Sequence, residues 1–113
     1  HCLFYGADEA LNLTIFEAFK AHCSHQMLPM ELSHLLPDNG FGSITRQNLS
    51  YLETALNAGM AGYYLSKLMA LFATTKGVSN TDAKLWLSQL EQADKDGRFG
   101  FVNFPVLTMA TTI

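Results

Sequence analysis

The chain has 113 residues, 49% of them hydrophobic and 15% charged, with a formal net charge of −3. That length holds one domain or a pair of small lobes, and seven Lys+Arg against ten Asp+Glu exclude the basic footprint of a nucleic-acid or anionic-membrane binder. No apolar run approaches the ~20 residues of a membrane span, and two cysteines, Cys2 and Cys23, do not make a disulfide framework.

In chain order, Asp8 to about His22 reads as a helix, because Leu11, Ile15, Phe16 and Phe19 fall three or four apart on one face. Pro29 allows a fresh start, and Met30 to Leu36 forms a short second helix that Pro37 stops. The run Pro37-Asp38-Asn39-Gly40-Phe41-Gly42 is a turn by composition. Thr45 is a good N-cap for a third helix carrying Leu49, Leu52 and Leu56 on one stripe and ending near Asn57. After the loop Asn57-Ala58-Gly59-Met60-Ala61-Gly62, the residues Leu65, Leu68, Met69 and Phe72 form another apolar stripe. Lys76 to Asn80 breaks the chain, and Asn80 or Thr81 caps a helix through Trp86, Leu87 and Leu90. A loop at Asp94 follows, then a last helix near Asn103–Ala110 with Pro105 in its first turn. The sum is an all-α fold of six short helices in three helix–loop–helix units, roughly 8–37, 43–73 and 79–110. Strand signal is confined to short pairings between loops.

Three of the connecting segments, Lys20–Glu31, Asn57–Leu68 and Asp94–Pro105, sit at a constant spacing of 37 residues. A period of this size marks a repeated structural unit. The third opens Asp94-Lys95-Asp96-Gly97, and the second carries Gly62 at its sixth place, where a calcium loop makes its sharp turn. With Glu17-Ala18-Phe19, Glu31-Leu32, Leu49…Leu52…Leu56-Asn57 and Ser79-Asn80-Thr81-Asp82 through Gly97, the chain resembles the EF-hand superfamily, most closely the calmodulin and myosin-light-chain group. The resemblance implies a single domain of tandem, degenerate EF-hand-like units over residues 1–113.

Its metal ligands do not follow. Calcium needs oxygen ligands at loop positions 1, 3, 5, 7, 9 and 12, the last a carboxylate. Lys20 opens the first loop, Leu68 closes the second, and the third has Arg98 at position 5 and Pro105 at position 12. Asp94 and Asp96 are the weak candidates that remain, so neither calcium nor another cofactor is expected. The resemblance then implies a calcium-independent protein that binds and stabilises a basic, amphipathic, IQ-like helix of a larger partner, a myosin or another cytoskeletal protein. The apolar groove for that helix is expected from Phe16, Phe19, Leu32, Leu36, Leu65, Met69, Phe72, Trp86, Leu87, Phe104 and Met109. A cytoplasmic, cytoskeletal setting goes with this reading. Because hands pair, three of them call for self-association or for a fourth hand outside this chain. Two alternatives are a calcium sensor or buffer and a small helical structural or assembly subunit. A third, a secreted helical protein, rests on the glycosylation triplets Asn12-Leu13-Thr14 and Asn48-Leu49-Ser50.

Other chemistry fares worse. His22-Cys23-Ser24-His25 lacks the further ligands that a four-coordinate zinc site takes. Glu31-Leu32-Ser33-His34 is one copy of a Glu-x-x-His pair, where a di-iron site needs two. Neither a nucleophile elbow nor a phosphate-cradling loop is present. Catalysis is therefore not expected.

Overall fold

A computed structural model describes residues 2–24 and 27–113. The elements run β1 (Cys2–Tyr5), α1 (Glu9–Lys20), α2 (Leu28–Asp38), β2 (Phe41–Asn48), β3 (Tyr51–Glu53), α3 (Ala61–Thr75), α4 (Asn80–Lys95), β4 (Gly100–Asn103) and β5 (Val106–Thr112). The fold among the described residues is mixed, with four helices and two antiparallel sheets, β1-β4-β3 and β2-β5. The all-α expectation of six helices in three helix–loop–helix units is overturned.

The error has two sources. Residues 45–57, read as a helix from the spacing of Leu49, Leu52 and Leu56, form the end of β2, all of β3 and a connecting loop. Leu52, a core residue in that helix, is 71% exposed on a strand. The segment near 103–110 is β5 with the end of β4; its run Val106-Leu107-Thr108-Met109-Ala110-Thr111-Thr112 is rich in residues whose branched side chains suit a pleated surface. The expected loop over 57–68 is also mostly helix, because α3 begins at Ala61. Gly62 serves packing rather than a loop turn: a Cβ there would lie 2.8 Å from Glu53 Oε1 and 3.2 Å from the Phe101 ring.

α1 and α4 start near where local signals place them, although Ser79 caps α4 in place of Asn80 or Thr81, and Thr45, expected as a cap, lies in β2. Asp8 caps α1 by accepting from Leu11 N at 3.1 Å, and Ser79 caps α4 by accepting from Asp82 N at 3.1 Å. Each cap satisfies an amide that the helix itself leaves unpaired, worth about 1 kcal/mol. Met60 offers α3 no side-chain cap, and Glu53 on β3 takes that role by accepting from Gly62 N at 2.8 Å. A carboxylate at a helix N-terminus also meets the positive end of the helix dipole.

Helices α1, α3 and α4 pack on one face of β1-β4-β3 around Phe4, Ile15, Met69, Trp86, Leu90, Phe99 and Phe101. Phe4 meets Trp86 edge-on at 5.4 Å and Phe101 at 4.7 Å between ring centroids. The Trp86 indole N–H donates to Asn12 Oδ1 at 2.9 Å, and Asn12 Nδ2 donates to Phe4 O at 3.2 Å. One polar side chain thus ties α4, α1 and β1 together inside an apolar core. Gly6 lets β1 leave this core: its φ is +127°, and a Cβ there would fall 2.5 Å from Ala93 Cβ.

The two sheets form one ribbon. Every strand pair from Thr45↔Met109 through Asn48↔Val106, Tyr51↔Asn103 and Glu53↔Phe101 keeps a single register. Leu49 N donates to Pro105 O at 2.9 Å across the interval between the two sheets. Residues 41–53 therefore run antiparallel to 100–112 for about 40 Å, at roughly 3.4 Å per residue. One half carries the three-helix lobe and the other carries α2. The molecule is accordingly long, with extents of 51 × 30 × 22 Å and a radius of gyration of 16.9 Å, against about 13 Å for a compact domain near this length. No described helix is long and apolar enough to cross a membrane.

Candidate functional site

The ribbon's α2 half has an unusual surface. Side chains alternate across a strand, and one set, Ile44, Arg46, Asn48 and Val106, lies with Pro29 and Met30 of α2. The other set, with Thr45 opposite Met109 and Gln47 opposite Leu107, has no helix over it among the described residues. Leu107 is 43% exposed and Met109 53% exposed. The same alternation carried back along the ribbon puts this bare face on the side where α1, α3 and α4 cover β4. α2 covers the opposite side.

The edges of this half also differ from each other. The free edge of β2 carries Arg46, Gln47 and Asn48 and a register shift between Gly42 and Thr45, with Ser43 at φ 52°. Charge, polarity and a bulge are the devices by which sheet edges avoid pairing. β5 has none of them, and no charged residue occurs from Phe99 to Ile113. Residues that exchange both backbone bonds alternate with residues that face away. The Leu49–Pro105 bond sets that alternation: Leu107 and Met109 bond to β2, while Val106 and Thr108 turn their N–H and C=O groups to the open edge. Along β4 that same edge is occupied by β1. Beyond β1 it is uncovered among the described residues.

The residues expected to line a helix-binding groove are dispersed. Met69 and Trp86 are fully buried in the core, and Phe16, Phe19, Leu65 and Leu87 pack against it. Phe19 stacks on His22 at 4.0 Å and meets Phe72 edge-on at 6.0 Å, closing the open end of the helical lobe. Leu32 and Leu36 are half-buried on α2, the helix with no fully buried residue. Phe104 stands exposed between β4 and β5. Of the expected set, Met109 alone falls on the bare ribbon face. Leu107, Val106, Arg46 and Asn48 were not anticipated. The signal for Val106 and Leu107 was available in the charge-free, β-branched stretch at the C-terminal end.

Asp94 and Asp96 do not converge on a common point. Asp94 Oδ1 accepts from Leu56 N at 3.0 Å, fastening the loop before α3 to the end of α4. Asp96 accepts from Gln92 Nε2 at 3.1 Å and pairs with Arg98 at 3.3 Å. His22 and Cys23 lie side by side, with Cys23 Sγ 3.2 Å from His22 Nε2, whereas His25 is outside the described residues. No group of three or more metal-ligating side chains is gathered among the described residues. Comparison with family models, with curated proteins and with solved structures finds no match for this chain.

Proposed function

We propose that this chain is an assembly module that works by strand addition: β5 receives a strand from the edge of another domain's sheet, and Leu107 and Met109 are covered by a layer of that domain. The observation that carries the reading is the pairing of an open, charge-free strand edge with an uncovered apolar face on the same strand. In strand addition, main-chain hydrogen bonds supply affinity and alternate side chains supply specificity. β5 carries no charge, and four of its seven residues are apolar. A second copy of this chain is a poorer occupant. Antiparallel pairing of β5 with β5 places the two-fold axis perpendicular to the sheet, and the bare faces of both copies stay bare. The partner is therefore a domain whose sheet offers a neutral edge strand and a packing layer beside it. In this arrangement the three-helix lobe projects past the end of the joined sheet as a cap.

The test is site-specific photo-crosslinking in native cells, with the crosslinker at Leu107 and a control at Leu13 on α1. Adducts from Leu107 are expected on the partner's packing layer or the edge strand beside it, and they disappear when Thr108→Pro removes an outward amide. Adducts only to a second copy of the chain, or equal yields at Leu107 and Leu13, contradict the proposal.

A further inference from the structure

On the α2 side of the ribbon, opposite the bare face, a trough of about 520 Å³ is lined by Pro29, Met30, Ile44, Arg46, Asn48 and Val106. That volume falls within the range of small-molecule sites, which combine apolar walls with a few polar groups. Four of the six lining residues are apolar, and the polar two stand together at one strand end. Arg46 makes no hydrogen bond and has no carboxylate within salt-bridge distance among the described residues; the ion pairs present are Lys20–Glu17 and Arg98–Asp96. The Asn48 side chain is likewise without a hydrogen-bond partner among them. A guanidinium offers a planar fork of donors that matches a carboxylate with two parallel bonds, and the Asn48 amide adds donors of its own.

We infer that this trough binds a small aliphatic carboxylate, with the carboxylate on Arg46 and Asn48 and the hydrocarbon tail against Met30, Ile44 and Val106. The match is one of charge and position: Arg46, solvent-exposed and without a counter-ion among the described residues, stands beside Met30, Ile44 and Val106 in an open trough. The inference does not rest on strand addition: the trough lies on the α2 face, and Val106 alone is shared, through its side chain here and its backbone there.

Octanoate and 1-octanol, which share a tail and differ in the head, separate the contributions. Titration followed by amide chemical shifts should show octanoate moving Ile44, Arg46, Asn48 and Val106 and binding at least tenfold more tightly than octanol. Arg46→Gln should weaken octanoate about tenfold and leave octanol within twofold. Met30→Ser should weaken both. Asn48→Ala gives a second, milder reading of the head-group contact. Equal binding of the two compounds, an unchanged octanoate affinity in Arg46→Gln, shifts centred outside the trough, or no octanoate binding in the millimolar range each overturns the assignment.

Discussion

Asn12→Ala is the sharpest perturbation of the core, because Asn12 serves two buried partners at once. The side chain accepts from Trp86 Nε1 at 2.9 Å and donates to Phe4 O at 3.2 Å, and Trp86 is 0% exposed. Truncation leaves an indole N–H in the core with no acceptor, at about 1–3 kcal/mol. The lost bond to Phe4 O adds about 0.5–1.5 kcal/mol, for a total of roughly 2–4 kcal/mol. Domains of this size are stable by only about 5–15 kcal/mol, so this is a large fraction. With a urea m-value of about 1.5–2 kcal/mol/M, the midpoint should fall by 1 M or more. Urea unfolding followed by far-ultraviolet circular dichroism reads this directly. Trp86→Phe and the double variant complete a cycle, and a coupling of about 1 kcal/mol or more is expected for groups in one network. A midpoint shift below about 0.3 M, or strictly additive changes, refutes the claim that Asn12 links α4, α1 and β1.

Further predictions separate this fold from the helical one. Leu52→Ser should change stability by less than about 0.5 kcal/mol, since Leu52 is mostly exposed, while Phe101→Ala should cost about 3–5 kcal/mol; a helix through 45–57 would make the Leu52 change costly. Thr108 Oγ1 is buried on the α2 side without a hydrogen-bond partner among the described residues, so Thr108→Val should raise the thermal midpoint by removing a penalty of about 1 kcal/mol. An unchanged or lowered midpoint would mean that α2 does not cover that face. Met109→Lys, on the same exposed face, should leave the isolated chain folded and abolish crosslinking from position 107 to a partner sheet, with folding checked by circular dichroism.

Half of this architecture was legible residue by residue. Asp8 and Pro29 mark helix starts through chemistry that acts within one turn, and α1 and α2 stand near where those marks place them, while α4 starts at Asn80 with Ser79, in place of Asn80 or Thr81, as its cap. The ribbon was hidden because its evidence is not local: 41–53 pairs with 100–112, and neither strand alone shows a strong alternation. Leu49, Leu52 and Leu56 match a helical stripe by spacing, yet they lie on a loop, an exposed strand face and the approach to α3. The 37-residue spacing of turns likewise falls on unlike elements, a helix start in the second segment and a strand in the third. For the candidate surface, Met109 and Phe104 stood out as apolar residues, and both are exposed. The lack of charge after Arg98 was the better clue. It states a property of an edge, and edges exist only once strands are paired.

Amide hydrogen exchange along β5 tests the central claim most directly. In the isolated chain, Leu107 and Met109 should exchange at least about tenfold more slowly than Val106 and Thr108, whose amides face the open edge. Uniform protection of all four would mean that the edge is already covered. Uniformly fast exchange would mean that the ribbon joining the two halves does not form.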